Sequence, residues 1–291
     1  MASPALAVRP ALALGRRRVV DRAMSVLFVA ATVAAVTPLL LVVGYIAVQG
    51  AHGLSIALVT QLPAPVGEPG GGMGNAFVGS AILIAVASAI ALPVGILSGV
   101  YLSEFGGGRF GDVLRFFTDV LTGVPSIVVG IVAYTILVVP LRSFSALSGG
   151  FALSIIMIPT VARTTEEALK RVPLTIREAS LALGVHEWTT ILGVVIPTGL
   201  AGIVTGAMLG IARISGETAP LLFTAFGSAF WQQGLLKPIA AVPLQIFQYA
   251  ISPYTDWHEQ AWAAALILML LVLGLNVAIR AVTRTGFRTV R

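Results

Sequence analysis

Long stretches without a single acidic or basic side chain set the first limit on how this sequence can fold. Residues 23–67, 69–103 and 188–212 contain no Asp, Glu, Lys or Arg. A helix needs about 20 apolar residues to cross the hydrocarbon core of a membrane, and each stretch is long enough. Charged residues make up 10% of the chain, whereas a soluble domain carries roughly a quarter. The sequence therefore excludes a soluble domain and predicts a membrane protein.

The apolar stretches predict an all-α fold with six transmembrane helices. The predicted spans lie near residues 24–48, 75–102, 119–140, 147–166, 190–214 and 260–281. The first span is longer than the roughly 7–15 apolar residues of a signal peptide, so we expect it to be retained as an anchor. Residues 50–74 contain several Gly and Pro residues and are predicted to form an external loop.

Residues 218–258 allow two interpretations. Their two apolar runs could form an additional pair of spans, or the segment could remain external or re-entrant. Pro238, Pro243 and Pro253 favour the second interpretation, because proline removes a backbone donor and interrupts a helix. Both interpretations keep an even number of spans.

The distribution of basic residues predicts the orientation of the chain, since cytoplasmic segments of membrane proteins are enriched in Lys and Arg. With six spans and a cytoplasmic N-terminus, all of the 18 Lys and Arg residues except Arg142, Arg213 and Lys237 lie in cytoplasmic segments. Both termini are therefore expected in the cytoplasm. The net charge of +6 is thus explained by topology and does not indicate nucleic-acid binding.

Residue types that carry enzyme chemistry are scarce. The chain has no cysteine, which excludes disulfides, thiolate metal sites and cysteine nucleophiles. His52, His186 and His258 fall in three separate segments, so neither a metal site nor a Ser-His-Asp arrangement is predicted. No phosphate-binding loop of the form GxxxxGK followed by Ser or Thr occurs. We expect a chain that is not an enzyme and that holds no metal and no cofactor.

The fifth predicted span ends with a constellation of small and charged residues. At about 100° per residue, Gly202, Gly206, Gly210, Arg213 and Glu217 fall on one side of a helix. Glycines at this spacing allow a second helix to approach closely. A charge inside the membrane marks either a pathway or a paired core site, and Arg213 and Glu217 are one helical turn apart, so they could pair.

Two interpretations of this constellation stay open. In the first, Arg213, Glu217 and Thr218 line a substrate pathway. The Arg213 guanidinium offers five N–H donors in a planar fork that suits an oxyanion, Glu217 moderates the attraction, and Thr218 adds a hydroxyl. In the second, Arg213 and Glu217 form a structural ion pair near the outer end of the helix.

The cytoplasmic segment 163–189 is predicted to be structured. Pro173 separates two short predicted helices, and Gly184 ends the second one. Thr175 and Glu178 have the spacing of a capping box, so Glu178 could serve only to cap this second helix.

The same segment carries a family resemblance. Glu178-Ala179-Ser180, followed by Gly184 and Ile196-Pro197, resembles the EAA loop of type I ABC importer permeases. In that family the loop forms a coupling helix that docks on an ATPase subunit. The resemblance therefore implies that Glu178 and Ala179 belong to the docking interface and that Gly184 forms its turn.

Four further segments extend the resemblance over about residues 75–282, and they are similar to the permease subunits of phosphate-specific ABC importers. These segments are GVPSIVVGIVAY at 123–134, IMIPTVARTTEEALKRVP at 156–173, REASLALGV at 177–185 and ARISGETAPLLFTAFG at 212–227. The resemblance implies an ATP-driven importer of inorganic phosphate in a bacterial plasma membrane. It also implies three partners: a second, related permease, a cytoplasmic ATPase dimer that uses the ATP, and an extracytoplasmic phosphate-binding protein.

The domain organisation follows from this interpretation. Residues 1–74 are expected to form a cytoplasmic basic arm, the first span and an external loop. Residues 75–282 would form the permease core with the other five spans and the coupling loop 163–189, and residues 283–291 a cytoplasmic tail. The rival functions are import of another oxyanion, such as sulfate or molybdate, and a structural membrane subunit that transports nothing.

Overall fold

The computed structural model describes the backbone of residues 11–286 and the side chains of residues 17–278. Within these residues the chain forms helices and two isolated backbone bridges, with no strand. In chain order the helices are α1 (Ala11–His52), α2 (Ile56–Thr60), α3 (Gly74–Glu104), α4 (Arg109–Gly123), α5 (Ser126–Leu141), α6 (Ala146–Lys170), α7 (Leu174–Ala182), α8 (Glu187–Ile214), α9 (Ala219–Thr224), α10 (Val242–Ala250) and α11 (Thr255–Gly286).

Five of the described helices are long and apolar enough to cross a membrane, namely α1, α3, α6, α8 and α11. The pair α4 and α5 gives a sixth segment that is bent by 105°. The prediction of an all-α fold with six transmembrane segments is therefore confirmed. Helix α11 continues into the predicted tail, whose residues 287–291 lie outside the described residues, as do residues 1–10 of the predicted basic arm.

The third span differs from its prediction. The sequence predicts one continuous helix over 119–140, but the chain breaks at Val124 and Pro125. Proline disfavours helical backbone at the residue before it, and Val124 is extended, with φ −69° and ψ 130°. Gly123, a weak helix former, ends α4 immediately before this point. The predicted single helix is wrong because these three residues together stop it.

The chain divides into two compact units, residues 1–49 and residues 50–291. The described part of the first unit is helical and belongs to α1. The largest hydrophobic core of the second unit is shared by α3, α5, α6, α8, α9 and α10. Its buried side chains include Leu83, Met157, Val161, Ile214 and Leu244.

Helix α6 packs against α3 through glycines on both helices. A Cβ added at Gly95 of α3 would lie 2.8 Å from Val161 Cβ, and one at Gly150 of α6 would lie 2.7 Å from Val86 Cβ. Contacts this short leave no room for a side chain at either glycine. The two backbones therefore approach each other closely near both ends of their contact.

An adjoining face of α6 packs against the glycine face of α8, so the predicted glycine face is confirmed. Gly202, Gly206 and Gly210 all face α6, and a Cβ at Gly202 would lie 2.5 Å from Ala168 Cβ. A Cβ at Gly206 would overlap the hydroxyl of Thr164. Small residues permit this close packing, which is a main source of helix association in lipid.

Between α8 and α11 the chain forms only the short helices α9 and α10, neither of which is long enough to span a membrane. The interpretation without an additional pair of spans is confirmed. Three backbone N–H groups at the start of α6 donate to carbonyl oxygens of this segment: Ser145 to Thr224 at 3.0 Å, Ala146 to Lys237 at 3.0 Å and Leu147 to Leu235 at 2.9 Å. These bonds satisfy donors that a helix start leaves without intrahelical partners.

Gly206→Ala is expected to destabilise the fold, because the added methyl would overlap Thr164 on α6. Overpacking a closely packed contact costs about 1–3 kcal/mol. We expect a lower midpoint of thermal unfolding for the purified chain in detergent, measured by tryptophan fluorescence.

Gly193→Ala is the matched control within α8, since a Cβ at Gly193 has no neighbour within 4 Å. This variant is expected to unfold at the wild-type midpoint. Equal midpoints for the two variants would contradict the close packing of α8 on α6.

Candidate functional site

The predicted coupling segment forms one short helix, α7. The first of the two predicted helices is instead the end of α6, which continues to Lys170 because its side chains stay buried as far as Leu169. Pro173 precedes α7. Gly184 follows it with a φ of +80°, a left-handed conformation that glycine adopts without strain. The Gly184 N–H donates to Leu181 O at 2.9 Å, so the predicted turn at Gly184 is confirmed.

The two faces of α7 have different surroundings. Glu178 and Ala179 are exposed, whereas Ser180 is buried and its hydroxyl lies 2.8 Å from Thr190 Oγ1. The helix begins before Thr175, so the alternative in which Thr175 and Glu178 form a capping box is wrong. Glu178 and Ala179 lie on a surface that a partner could reach.

Arg177 connects the inner face of α7 to the ends of two transmembrane helices. Its Nη1 donates to Glu104 Oε2 at the end of α3, and its Nη2 donates to Leu169 O of α6 at 2.8 Å. The Glu104 side chain is 6% exposed and that of Arg177 is 17% exposed. The sequence does not predict this pair, because the two residues lie 73 positions apart and no spacing rule links them.

A second buried carboxylate, Glu166, lies near the same end of α6. Its side chain is 2% exposed. Arg115 Nε and Lys170 Nζ donate to Glu166 Oε1 at 2.9 and 2.6 Å, and Arg163 Nη1 lies 3.9 Å from Oε2. The cations offset the cost of burying the carboxylate. The spacing of Glu166 and Lys170 on one helical face could have predicted their contact, but nothing in the sequence predicts the partner from α4.

Arg115 also binds the end of α3. Its Nη1 donates to Gly106 O and its Nη2 to Leu102 O, each at 2.9 Å. The last carbonyls of a helix lack intrahelical donors and carry partial negative charge, so a guanidinium is favourable there. Arg115 and Arg177 therefore converge on the end of α3 from two different helices.

Arg213 belongs to α8, which ends one residue later, and lies opposite the middle of α6. Its Nη1 donates to Thr160 Oγ1 at 3.1 Å. At a rise of 1.5 Å per residue, Thr160 is about 21 Å from the first residue of α6 and about 15 Å from the last. Arg213 is exposed on the surface of the single chain, and within the described residues Thr160 is its side-chain partner. A cation with further N–H donors to offer thus lies beside the predicted span 147–166.

Glu217 and Thr218 lie beyond the end of α8. Glu217 borders a small crevice with Ser80 of α3 and Pro243 of α10, and Thr218 precedes α9. Among the ion pairs of the described residues, none joins Arg213 to Glu217. The predicted pairing is wrong because the helix ends at Ile214 and the one-turn spacing no longer applies. The role of the three residues in a substrate pathway stays a prediction.

A separate cavity of about 550 Å³ lies between α10 and the loop segments 62–66 and 226–230. Gln245, Tyr249 and Trp257 line it, and the Tyr249 and Trp257 rings stack with centroids 4.4 Å apart. Burial raises the pKa of Tyr249 above its usual range, although a hydrogen bond from Gln245 opposes the shift. The lining residues carry no charge, so this cavity is poorly suited to an anion.

Comparison with known proteins identifies the class. Residues 91–285 match the family model described as "Binding-protein-dependent transport system inner membrane component". A chain of the MetNI methionine ABC transporter in an inward-facing conformation covers 73% of this chain and 96% of its own length, with a TM-score of 0.59 and 18% identity. At that identity the likeness concerns the fold alone. The fold and the family model define a permease component of an ABC importer.

Two relatives narrow the class to a family. The chain is 45% identical over 235 residues, 80% of each chain, to "Phosphate transport system permease protein PstA" from Yersinia pestis. It is 36% identical over 265 residues to "Probable phosphate transport system permease protein PstA" from Methanocaldococcus jannaschii, covering 91% of this chain and 94% of that protein. The chain belongs to the PstA family of permeases. The predicted family and the predicted multi-pass membrane location are confirmed.

Glu166→Gln is expected to lower the free energy of unfolding by about 1.5–3 kcal/mol, the usual contribution of hydrogen bonds to a charged group. The reason is that Arg115 and Lys170 lose the negative charge between them. Denaturant unfolding of the purified chain measures the difference.

Asp112→Asn is the matched control, because Asp112 also pairs with Arg115, at 3.4 Å, but is 78% exposed. Exposed pairs contribute about 0–1 kcal/mol. Losses of similar size in the two variants would contradict the buried role of Glu166.

Proposed function

We propose that this chain is a permease subunit of an ATP-driven importer of inorganic phosphate. The observation that carries the proposal is 45% identity, over 80% of the chain, to a phosphate transport system permease. The ABC permease fold of residues 91–285 supports the same function. The chain provides the route for the substrate, holds no cofactor, and leaves ATP hydrolysis to a separate ATPase subunit.

The environment of Arg213 supports an anionic substrate. An anion that leaves water needs positive charge and hydrogen-bond donors in place of its hydration shell, and a guanidinium supplies both. Thr160 accepts one N–H of Arg213 and orients the group, so the remaining donors can bind phosphate oxygens. Thr218 adds a hydroxyl, and Glu217 limits how tightly the anion is held.

Two other functions are less well supported. Sulfate or molybdate import would need similar electrostatics, but the relatives reported above are named for phosphate transport. A structural subunit would use the glycine faces of α3, α6 and α8. It would have no use for an exposed guanidinium opposite the middle of a spanning helix, because a charge there is costly.

The exposed face of α7 supports docking of a partner. Glu178 and Ala179 lie on it, and the apolar side chain of Leu174 is 71% exposed. With both termini in the cytoplasm, α7 faces the cytoplasm, where an ATPase dimer would bind. A second, related permease completes the pathway, and a phosphate-binding protein delivers substrate on the other side of the membrane.

Arg213→Ala is expected to lower ATP-dependent phosphate uptake by roughly 10- to 100-fold, because charge-assisted hydrogen bonds contribute about 1.5–3 kcal/mol each. Uptake of radiolabelled phosphate is measured in vesicles that contain both permeases and the ATPase, with the binding protein supplied on the outer side. Excess sulfate is added in parallel and is expected to leave uptake unchanged.

Arg109→Ala is the control, since Arg109 is an exposed residue at the start of α4 with no ion pair among the described residues. Uptake of sulfate in place of phosphate would contradict the proposal that phosphate is the substrate. Full phosphate uptake by an assembled Arg213→Ala complex would contradict the pathway role.

Glu178→Lys is expected to abolish co-purification of the ATPase, because it reverses a charge at the centre of the exposed α7 surface. The second permease should still co-purify. Glu187→Lys is the control: Glu187 is also exposed but begins α8. The docking proposal fails if the ATPase is retained by Glu178→Lys, or lost equally with both variants.

A further inference from the structure

Helix α7 is attached to the rest of the chain by two polar side chains on its inner face. Ser180 bonds to Thr190 near the start of α8, and Arg177 binds the ends of α3 and α6. Ser180 is the one buried residue of this helix. Most of α7 is therefore exposed. These two contacts determine how α7 moves together with α3, α6 and α8.

The hydrogen bonds of Arg177 fix the orientation of its guanidinium. The guanidinium is planar, so hydrogen bonds to Glu104 Oε2 and Leu169 O set its orientation as well as its position. The carboxylate is fixed in turn, because Ser103 Oγ donates to Glu104 Oε1 at 2.8 Å. Both side chains of the pair are largely buried.

Stability alone does not explain the pair. A buried ion pair is often no more stable than apolar side chains of the same size, because desolvation offsets the attraction. What the pair does provide is a defined geometry between α7 and the end of α3. An apolar contact at the same place would let α7 slide.

We propose that Arg177 and Glu104 are positioning residues that transmit the displacement of α7 to α3 during transport. The Ser180 contact transmits the same displacement to α8, whose other end carries Arg213. Because α3 and α8 both pack on α6, where Val161 faces Gly95 of α3 and Gly210 of α8, one movement of α7 shifts both neighbours of this helix together. The inference rests on the proposed function, in which α7 receives the ATPase.

The test uses the complete reconstituted transporter and compares two rates in the same vesicles, ATP hydrolysis and phosphate uptake. Glu104→Gln and Arg177→Lys are the variants, since both conserve size and neither removes a residue of the exposed α7 surface. We expect the ATPase to co-purify and hydrolyse ATP in both. Phosphate taken up per ATP should fall by about tenfold, within the usual range of coupling between distant sites.

Arg171→Gln is the control, because Arg171 is an exposed cation between α6 and α7 with no ion pair among the described residues. Its uptake per ATP should equal that of the wild type. The exchange Glu104→Arg with Arg177→Glu restores the opposite charges and is expected to recover part of the lost coupling.

The outcomes separate this inference from the proposed function. If the wild type takes up phosphate and Glu178→Lys loses the ATPase, but Glu104→Gln and Arg177→Lys keep the wild-type ratio, the inference alone is overturned. It is also overturned if both rates fall in proportion to the amount of assembled complex, because the pair would then be structural. If the wild-type vesicles take up no phosphate, the proposed function itself fails.

Discussion

The close packing of α6 against both α3 and α8 is the contact on which the rest of the structure depends. In lipid, helices gain little from burying apolar surface against one another, so they associate where small residues let their backbones approach. Gly95 and Gly150 allow this where α6 meets α3, and Gly202 and Gly206 allow it where α6 meets α8. The positions of Glu166 on α6 and of Arg213 beside α6 follow from this three-helix arrangement.

Charges are distributed unevenly over this arrangement. Glu104 and Glu166 lie near the end of α3 and the last turns of α6, where arginines from α4 and α7 bind them. Arg213 is different, because its side-chain partner within the described part of the chain is a hydroxyl and not a carboxylate. Paired charges thus fix the region of α7, while the positive charge of Arg213 lies beside the middle of α6 without a carboxylate partner among the described residues.

Much of this could be predicted from local sequence patterns. The spans follow from apolar length, the glycine face of α8 from residues repeated every four positions, and the turn at Gly184 from one residue type. The break at Pro125 could not be predicted from the presence of proline, because Pro38, Pro93 and Pro159 all lie within helices. The ion pairs of Glu104 and Glu166 with distant arginines could not be predicted either, since these pairs form only when separate helices pack together.

The backbone bonds at the start of α6 have a mechanical consequence. The first turn of α6 is held by the segment that contains Thr224 and Lys237, and its last turns hold Glu166 and Lys170. At 1.5 Å per residue this rod is about 37 Å long, so a rocking of about 10° about its centre would carry its two tips about 3 Å in opposite directions. The two ends of α6 would thus move together, so a displacement of the turns that hold Glu166 would also displace the turn bound to Thr224 and Lys237.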